Sequence, residues 1–239
     1  MVRHIFISLL TAAMLMWSVS VACADSSADY HKGITAFKAG SVAQAVKWFR
    51  KAADQGHVDA QHALGLMHNE GQGVAQDSSA AAKWIRKAAD QGHAEAQYNI
   101  GVMYERGRGV TQDYAAAVKW YRKSADQAYA KAQHTLGGMY DKGQGITQDY
   151  AQAAKWYRKS AERGHAPAQY NIGVMYATGE GVIQDNVTAH MWFCIAASKG
   201  FKNAVTNRDI VAKGMTATAI EEAQKRTQEC LKSNYKRCD

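Results

Sequence analysis

Hydrophobic and polar positions recur along this chain with a period of 36 residues. Every tryptophan after residue 24 keeps that step: Trp48, Trp84, Trp120, Trp156 and Trp192. Two glycine rows and one aspartate row keep the same step: Gly65, Gly101, Gly137 and Gly173; Gly73, Gly109, Gly145 and Gly181; Asp77, Asp113, Asp149 and Asp185. Four registers at one such period are typical of a repeat array in which each unit is one supersecondary motif.

Within one period, residues 93–128, the apolar positions have the spacing of two amphipathic helices. Gly107 lies where the first helix is expected to end, because glycine adopts the left-handed cap without a Cβ penalty. Asp113 lies where its carboxylate can accept from the free amides of a second helix. Gly101 falls inside the first helix, where glycine costs about 1 kcal/mol relative to alanine, so we expect close approach of the partner helix there. Each period therefore predicts a helical hairpin.

Applied to the whole chain, this pattern predicts about six hairpins. Their approximate bounds are 28–54, 57–90, 93–126, 129–162, 165–198 and 201–234. The first hairpin has a tight turn at residues 37–41, and the last lacks the Gly-Val loop and has Thr216 as the expected N-cap of a final helix through about Leu231. The expected fold class is all-α, a right-handed α-solenoid of about six helical hairpins.

The segment AQYNIGVMYERGRGVTQDYAAAVKWYRKSA, residues 96–125, resembles the Sel1-like repeat, a relative of the tetratricopeptide repeat. The residues at its signature positions are Ala96, Gly101, Tyr104, Gly107, Gly109, Val110, Asp113, Ala117, Trp120 and Ala125. His68 departs from the pattern at a tyrosine position and Ala128 at a glycine position. The resemblance implies a tetratricopeptide-like hairpin at 25–54, Sel1-like repeats at 55–200, and a degenerate repeat with a capping helix at 201–239.

The first residues have the features of an exported bacterial protein. Arg3 and His4 precede an apolar run over residues 5–21, and Ala22-Cys23-Ala24 has the small residues that a signal peptidase reads. We therefore predict a signal peptide at 1–24, cleaved after Ala24, and a periplasmic or secreted protein. The alternatives are an uncleaved anchor, which would barely span a bilayer, and a lipoprotein anchored through Cys23.

Composition and charge add little to this picture. The chain of 239 residues has one proline and a formal net charge of +8, spread along its length in Arg-Lys pairs. A basic face can attract anionic partners, but no nucleic-acid-binding motif is present, so no nucleic-acid partner is expected. An exported chain can form a disulfide between two of Cys194, Cys230 and Cys238, and the sequence leaves the pair open.

Catalytic and metal-binding signatures are missing from the sequence. There is no GxSxG, HExxH or phosphate-binding glycine loop. Ser233 and Lys236 match SxxK, but no SDN or KTG accompanies them. A cysteine-rich branch of the Sel1-like family is linked with β-lactam binding, and this chain lacks the cysteine pair that marks each repeat of that branch. We expect no enzyme, no cofactor and no metal site, with a cell-wall-associated hydrolase of β-lactams or peptidoglycan as one alternative and a secreted host-interaction factor as another.

The resemblance to tetratricopeptide-like arrays implies a concave groove, lined by the first helix of each hairpin, that binds a peptide or protein partner. Residues expected to face this groove vary between copies, whereas the packing residues repeat. The binding candidates are Asp59, His62, Glu95, Tyr98, Glu105, Lys131, His134, Asp141 and Tyr170. Tyr98 and Tyr170 are the expected anchors, because tyrosine offers a large rigid area with a polar tip; the alternative is that they pack between repeats. The predicted function is an exported protein-interaction scaffold or adaptor of undetermined oligomeric state.

Overall fold

The computed structural model describes residues 25–236 and residue 238, and every regular element in that part of the chain is a helix. The predicted signal peptide lies outside the described residues. The twelve helices are α1 (residues 25–38), α2 (Val42–Asp54), α3 (Val58–Glu70), α4 (Ser78–Asp90), α5 (Ala94–Arg106), α6 (Tyr114–Asp126), α7 (Ala130–Lys142), α8 (Tyr150–Ala161), α9 (Ala166–Thr178), α10 (Asn186–Ser198), α11 (Lys202–Ala212) and α12 (Ala217–Lys232). The all-α prediction is confirmed.

The helices form two compact units, Met1–Gln112 and Asp113–Asp239. In the first unit, α2 packs on α3, α3 on α4 and α4 on α5. In the second, each helix from α6 to α10 packs on the next, and α12 packs on α10. Successive helices joined by short loops pack side by side, so each unit is built from stacked hairpins.

The helix ends lie close to where the sequence predicted them. The carboxylate of Asp77 accepts from the backbone amides of Ser79 and Ala80, each at 2.9 Å, at the start of α4. The other three members of the aspartate row cap α6, α8 and α10 in the same way. At the other end of the first helices, Gly71, Gly107 and the corresponding glycines of α7 and α9 adopt the left-handed conformation.

The glycine row inside the first helices is explained by contact with the second helix of the same hairpin. A Cβ added at Gly65 would lie 2.5 Å from Ile85, and one at Gly137 would lie 2.7 Å from the Tyr157 ring. At Gly173 the Phe193 ring would be 2.8 Å away. The predicted close approach is confirmed at Gly65, Gly137 and Gly173, where a large side chain lies directly on the glycine backbone.

The second glycine of each loop has a role beyond helix capping, which the sequence analysis did not anticipate. A Cβ at Gly145 would overlap the backbone of Tyr114, and one at Gly181 would overlap the backbone of Tyr150. In the first unit, Gly109 lies against Ser78 in the same way. The loop of one repeat therefore packs on the N-terminus of the second helix of the preceding repeat, at a distance that only glycine permits.

Ala128 offers a test of backbone strain between α6 and α7. Its φ is 65°, and the equivalent positions in other repeats are glycines with positive φ, including Gly92 and Gly200. A residue with a Cβ is destabilised by about 1–2 kcal/mol in this conformation. Replacing it with glycine removes this strain but increases the entropy of the unfolded chain, which lowers the stability by about 0.4–1 kcal/mol. We expect Ala128→Gly to stabilise the second unit by about 0.5–1 kcal/mol, measured as a higher urea midpoint at unchanged slope.

The matched control for that experiment is Ala115→Gly, at an exposed position in the first turn of α6. Glycine there should lower stability, by up to about 1 kcal/mol. A destabilised Ala128→Gly variant would contradict the assignment of strain to this residue.

The C-terminal part of the second unit ends in a helix secured by a disulfide. The hydroxyl of Thr216 accepts from the amide of Ala219 at 3.2 Å, which confirms the predicted N-cap of α12. Cys230 and Cys238 form a disulfide, and Cys194 remains a partly buried free thiol. The structure thus selects one of the pairings that the sequence left open. No helix within the described residues is long and apolar enough to cross a membrane.

Candidate functional site

The four helices α3, α5, α7 and α9 have one face that is the same in every copy. This face is buried and holds alanine, glutamine, leucine or isoleucine, glycine and methionine at matching positions. Its members are Ala60, Ala96, Ala132 and Ala168; Gln61, Gln97, Gln133 and Gln169; Leu64, Ile100, Leu136 and Ile172; Gly65, Gly101, Gly137 and Gly173; Met67, Met103, Met139 and Met175. The repetition of these residues therefore reflects packing within each unit.

The buried glutamine row ties each of these helices to the end of the preceding second helix. Nε2 of Gln61 donates to the carbonyl of Ala53 at 3.1 Å, and Nε2 of Gln169 donates to that of Ala161 at 3.1 Å. Gln97 and Gln133 make the same bond. Sequence reasoning missed this role, although the glutamines keep the 36-residue step. A buried side-chain amide that makes its hydrogen bond helps to orient the helix that carries it. The glutamine row therefore helps to orient the accessible face on the other side of each first helix.

On that opposite face, the positions accessible to a partner differ from copy to copy. Asp59, Glu95 and Lys131 are exposed, at one equivalent position of α3, α5 and α7. A second predicted row is half-buried and includes Glu105 and Asp141. These candidates lie at accessible or partly accessible positions of the first helices. The first unit offers an acidic face, whereas the equivalent exposed residue in the second unit is a lysine.

The third predicted row is more enclosed than expected. His62 is only 8 % exposed, its ring centre lies 4.6 Å from that of His93, and Nδ2 of Asn99 lies 2.9 Å from its Nε2. These neighbours belong to the next repeat along the chain. Tyr98 is half-buried. In the first unit, His62 therefore packs between two repeats, and only part of the Tyr98 side chain is accessible to a partner.

The same arrangement recurs in the second unit. The ring of His134 lies 4.9 Å from that of His165, and its Nε2 lies 3.1 Å from Nδ2 of Asn171. The ring of Tyr170 lies 4.9 Å from that of Phe201, and its hydroxyl accepts from Asn207 at 3.1 Å. Tyr170 therefore packs on the next repeat, which was the alternative to its role as a binding anchor. Part of its side chain stays accessible.

Burial decides the protonation of the two histidines in this row. It lowers the pKa of His134 to about 4, and the nearby His165 and Lys142 act in the same direction. Burial also lowers the pKa of His62, with a further contribution from His93 that Glu95 partly opposes. Both imidazoles are therefore neutral near pH 7, and each can accept a hydrogen bond from its asparagine neighbour.

An arginine on each of the second helices α2, α4, α6 and α8 contacts a side chain on the following first helix. Arg86 donates to the hydroxyl of Tyr104 at 2.7 Å, and Arg122 and Arg158 donate to Tyr140 and Tyr176. In the first repeat, the equivalent arginine lies 3.2 Å from Nε2 of His68. His68, which departs from the family pattern, therefore occupies the place of the tyrosine hydroxyl.

The described residues lack a cluster of metal-binding side chains. They contain no group of three or more histidine, cysteine, aspartate or glutamate side chains placed to hold a metal ion. Ser233 of the SxxK match donates its hydroxyl to the carbonyl of Cys230 at 2.8 Å. That hydroxyl thus helps to close the end of α12, as a serine at a helix terminus commonly does.

Comparisons with known proteins agree with this architecture. The sequence model of the Sel1 repeat family matches residues 22–57, 58–93, 94–129, 130–165 and 166–201. A Sel1 repeat protein from Oxalobacter formigenes is 34% identical, with a TM-score of 0.73 and coverage of 82% of either chain. The crystal structure of c5321, a protective antigen present in uropathogenic Escherichia coli strains displaying an SLR fold, is 33% identical with a TM-score of 0.78.

The match to c5321 covers 91% of this chain and 48% of that one, so this chain spans about half the length of c5321. A putative Sel1 repeat protein from Klebsiella pneumoniae, 24% identical over 82% of this chain and 96% of its own with a TM-score of 0.50, shares the fold. A comparison with curated protein sequences finds no match.

Proposed function

Because the chain belongs to the Sel1 repeat family, whose repeats mediate protein interactions, we propose that it is an exported scaffold that binds a peptide or protein segment through the first-helix face of each unit. In the first unit this face has the exposed Asp59 and Glu95 with the partly accessible Tyr98, and in the second unit it has the exposed Lys131 with the partly accessible Tyr170. The Sel1 repeat fold is typically a non-catalytic interaction scaffold, and the proposal applies that general role to one surface of this chain.

One observation carries the proposal. Across α3, α5, α7 and α9, the buried face keeps the same residue types, with leucine or isoleucine at one position, while the exposed position of Asp59, Glu95 and Lys131 changes in charge. Tyr98 and Tyr170 lie on the same helices and keep part of their side chains accessible, although Tyr170 also packs on Phe201. Half-buried tyrosines next to exposed charges have the composition of an interface, with a rigid aromatic anchor and a polar rim.

The structure changes which variant tests this proposal best. Tyr170→Ala would remove the contacts with Phe201 and Asn207 and so disturb packing as well as binding. The exposed charges avoid this problem. We choose Glu95→Lys together with Lys131→Glu, which reverses two charges of the first-helix face and leaves the net charge unchanged.

The experiment is crosslinking capture in the producing cell, followed by identification of the partner and titration of the purified pair. We expect the double variant to weaken binding by about 10-fold or more, since charge reversal at a polar rim opposes a complementary partner. The control is Glu221→Lys with Lys213→Glu, two exposed positions away from the helices α3, α5, α7 and α9. Equal capture by the wild type and both variants would show that the first-helix face is not the binding surface.

Export is tested on the same material. If residues 1–24 are a signal peptide, the protein recovered from the periplasm or the medium begins at Asp25, which intact-mass measurement detects. Recovery of the chain only from the cytoplasm, with residues 1–24 intact, would contradict export.

A second candidate function is that of a secreted or surface factor that meets a host. It is favoured by the likeness to c5321, a protective antigen present in uropathogenic Escherichia coli strains. Because this chain spans about half of c5321, the likeness supports the candidate without extending the activity of that protein to this one. Detection of the protein in culture medium or on the cell surface would favour this function over a periplasmic adaptor.

A further inference from the structure

The basic surplus of this chain is concentrated on its second helices. The segments 42–54, 78–90, 114–126 and 150–162 each hold three basic residues and one acidic residue. Together they hold 12 of the 29 lysines and arginines and 4 of the 21 acidic residues, which leaves 17 of each sign elsewhere. These four segments therefore account for the entire formal net charge of +8.

Within each helix the three basic residues lie on one side. They stand at relative positions i, i+3 and i+4, which share a helix face. The three rows are Lys47, Lys83, Lys119 and Lys155; Arg50, Arg86, Arg122 and Arg158; Lys51, Lys87, Lys123 and Lys159. These side chains are exposed or partly exposed, opposite the buried alanines of the same helices. We call this surface the basic face; the first unit carries it on α2 and α4, and the second unit on α6 and α8.

Two of the rows are held in place by aromatic neighbours. The ammonium of Lys87 lies 4.1 Å from the centre of the Trp84 ring, and that of Lys159 lies 4.1 Å from the Trp156 ring. Lys123 lies over its tryptophan in the same way. The arginines bond to the tyrosine or histidine side chains described above. The fold therefore orders these side chains, and Arg86 also pairs with Asp90 at 3.5 Å.

Most of these lysines have no acidic partner. Lys51 pairs with the buried Asp29 at 2.9 Å. Within the described residues, the other seven lysines of the basic face form no ion pair. Like charges one helical turn apart repel each other, and solubility requires a net charge but not its collection on one face. Such a face fits an anionic partner.

We propose that the basic face binds the phosphate headgroups of an anionic bilayer, as a peripheral contact that does not enter the hydrocarbon. Its lysines bind phosphate as point charges and gain affinity near a negative membrane surface. The residues one turn before the first lysine row are small: Ala43, Ser79, Ala115 and Ala151. There is thus no large apolar side chain at these positions to insert into lipid. The tryptophan rings lie beneath lysines, which removes the stacking platform that single-stranded nucleic acid uses.

The test is sedimentation with phosphatidylglycerol–phosphatidylcholine vesicles and with neutral phosphatidylcholine vesicles, using the chain as purified from the cell. The variant is Lys119→Gln, Lys123→Gln, Lys155→Gln and Lys159→Gln in the second unit. The control removes four exposed lysines of the same unit from other faces: Lys142→Gln, Lys202→Gln, Lys213→Gln and Lys225→Gln. Both variants lose four positive charges, so a difference in vesicle binding between them does not come from net charge. All proteins have the same N-terminus, so residues 1–24 contribute equally to binding in each.

We expect binding to the anionic vesicles that weakens steeply with added salt, because screening shortens the reach of exposed charges. The basic-face variant should bind about 100-fold more weakly and the control within about 3-fold of wild type. Equal losses in both variants, or equal binding to neutral vesicles, would overturn the proposal. Tighter binding to an oligonucleotide than to vesicles, lost in the basic-face variant, would overturn it in favour of nucleic acid. The first-helix variant Glu95→Lys with Lys131→Glu should bind vesicles like wild type, which separates this result from a failure of the proposed scaffold function.

Discussion

Gly181→Ala should lower the free energy of unfolding of the second unit by about 2–5 kcal/mol. An added Cβ would lie 2.7 Å from the backbone nitrogen of Ala151 and would overlap the carbonyl group of Tyr150. Backbone atoms cannot rotate away as a side chain can, so the loop must separate from α8, a cost of about 1–3 kcal/mol for overpacking. The positive φ of 70° adds about 1–2 kcal/mol for an L-residue.

The second unit contains a matched control for this prediction. Gly200 has a φ of 81°, and a Cβ there would meet nothing within 4 Å. Gly200→Ala therefore isolates the conformational cost, about 1 kcal/mol, from the loss of packing. Urea denaturation followed by far-UV circular dichroism measures both. Equal destabilisation by the two substitutions would show that the contact between the loop and α8 contributes nothing.

His134 should make the second unit sensitive to acid. Its pKa is about 4 in the folded chain, below the value of about 6.5 for an unperturbed histidine. The unfolded state therefore binds the proton more readily between these values. The stability contributed by the neutral imidazole is complete above about pH 6.5 and decreases as the pH falls toward 4. By pH 4.5 the expected loss from this residue is about 2–3 kcal/mol.

The measurement compares urea midpoints at pH 7 and pH 4.5 for the wild type and His134→Gln. Glutamine keeps a polar group beside Asn171 but does not titrate, so we expect it to remove this part of the acid sensitivity. Burial lowers the pKa of His165 as well, and the difference between the two proteins isolates the contribution of His134. His31→Gln, at an exposed site in α1, is the control. A His134→Gln variant with the acid sensitivity of wild type would contradict the prediction.

The histidine result would bear on the candidate site as well as on stability. His62 and His134 occupy equivalent positions on the first helices and contact the next repeat through a histidine ring and an asparagine amide. Protonating either imidazole places a charge in this contact. These inter-repeat contacts support the first-helix face, and they become less stable below about pH 6. We therefore expect a partner that binds this face to bind more weakly in acid.

The periodic residues allowed the sequence to predict the local structure closely. Aspartate caps, glycine ends and the glycines under large side chains each follow from one residue type in a short segment. The exposed candidates Asp59, Glu95 and Lys131 followed from the same helical phase. The helical phase did not predict that His62, His134 and Tyr170 are enclosed. Their neighbours lie in the next repeat, and the orientation of that repeat depends on how the hairpins stack.

The sequence by itself therefore determined the repeat, its helices and their ends, since these depend on residues within about one turn of each other. Only the tertiary structure showed the loop of one repeat lying on the preceding second helix, the buried glutamine bonds, and the pairing of Cys230 with Cys238. It also showed that, among the described residues, Lys51 pairs with Asp29 while the other seven lysines of the basic face form no ion pair. These features depend on distances between side chains on different helices. Tertiary packing determines such distances, and the residue spacing within one helix does not.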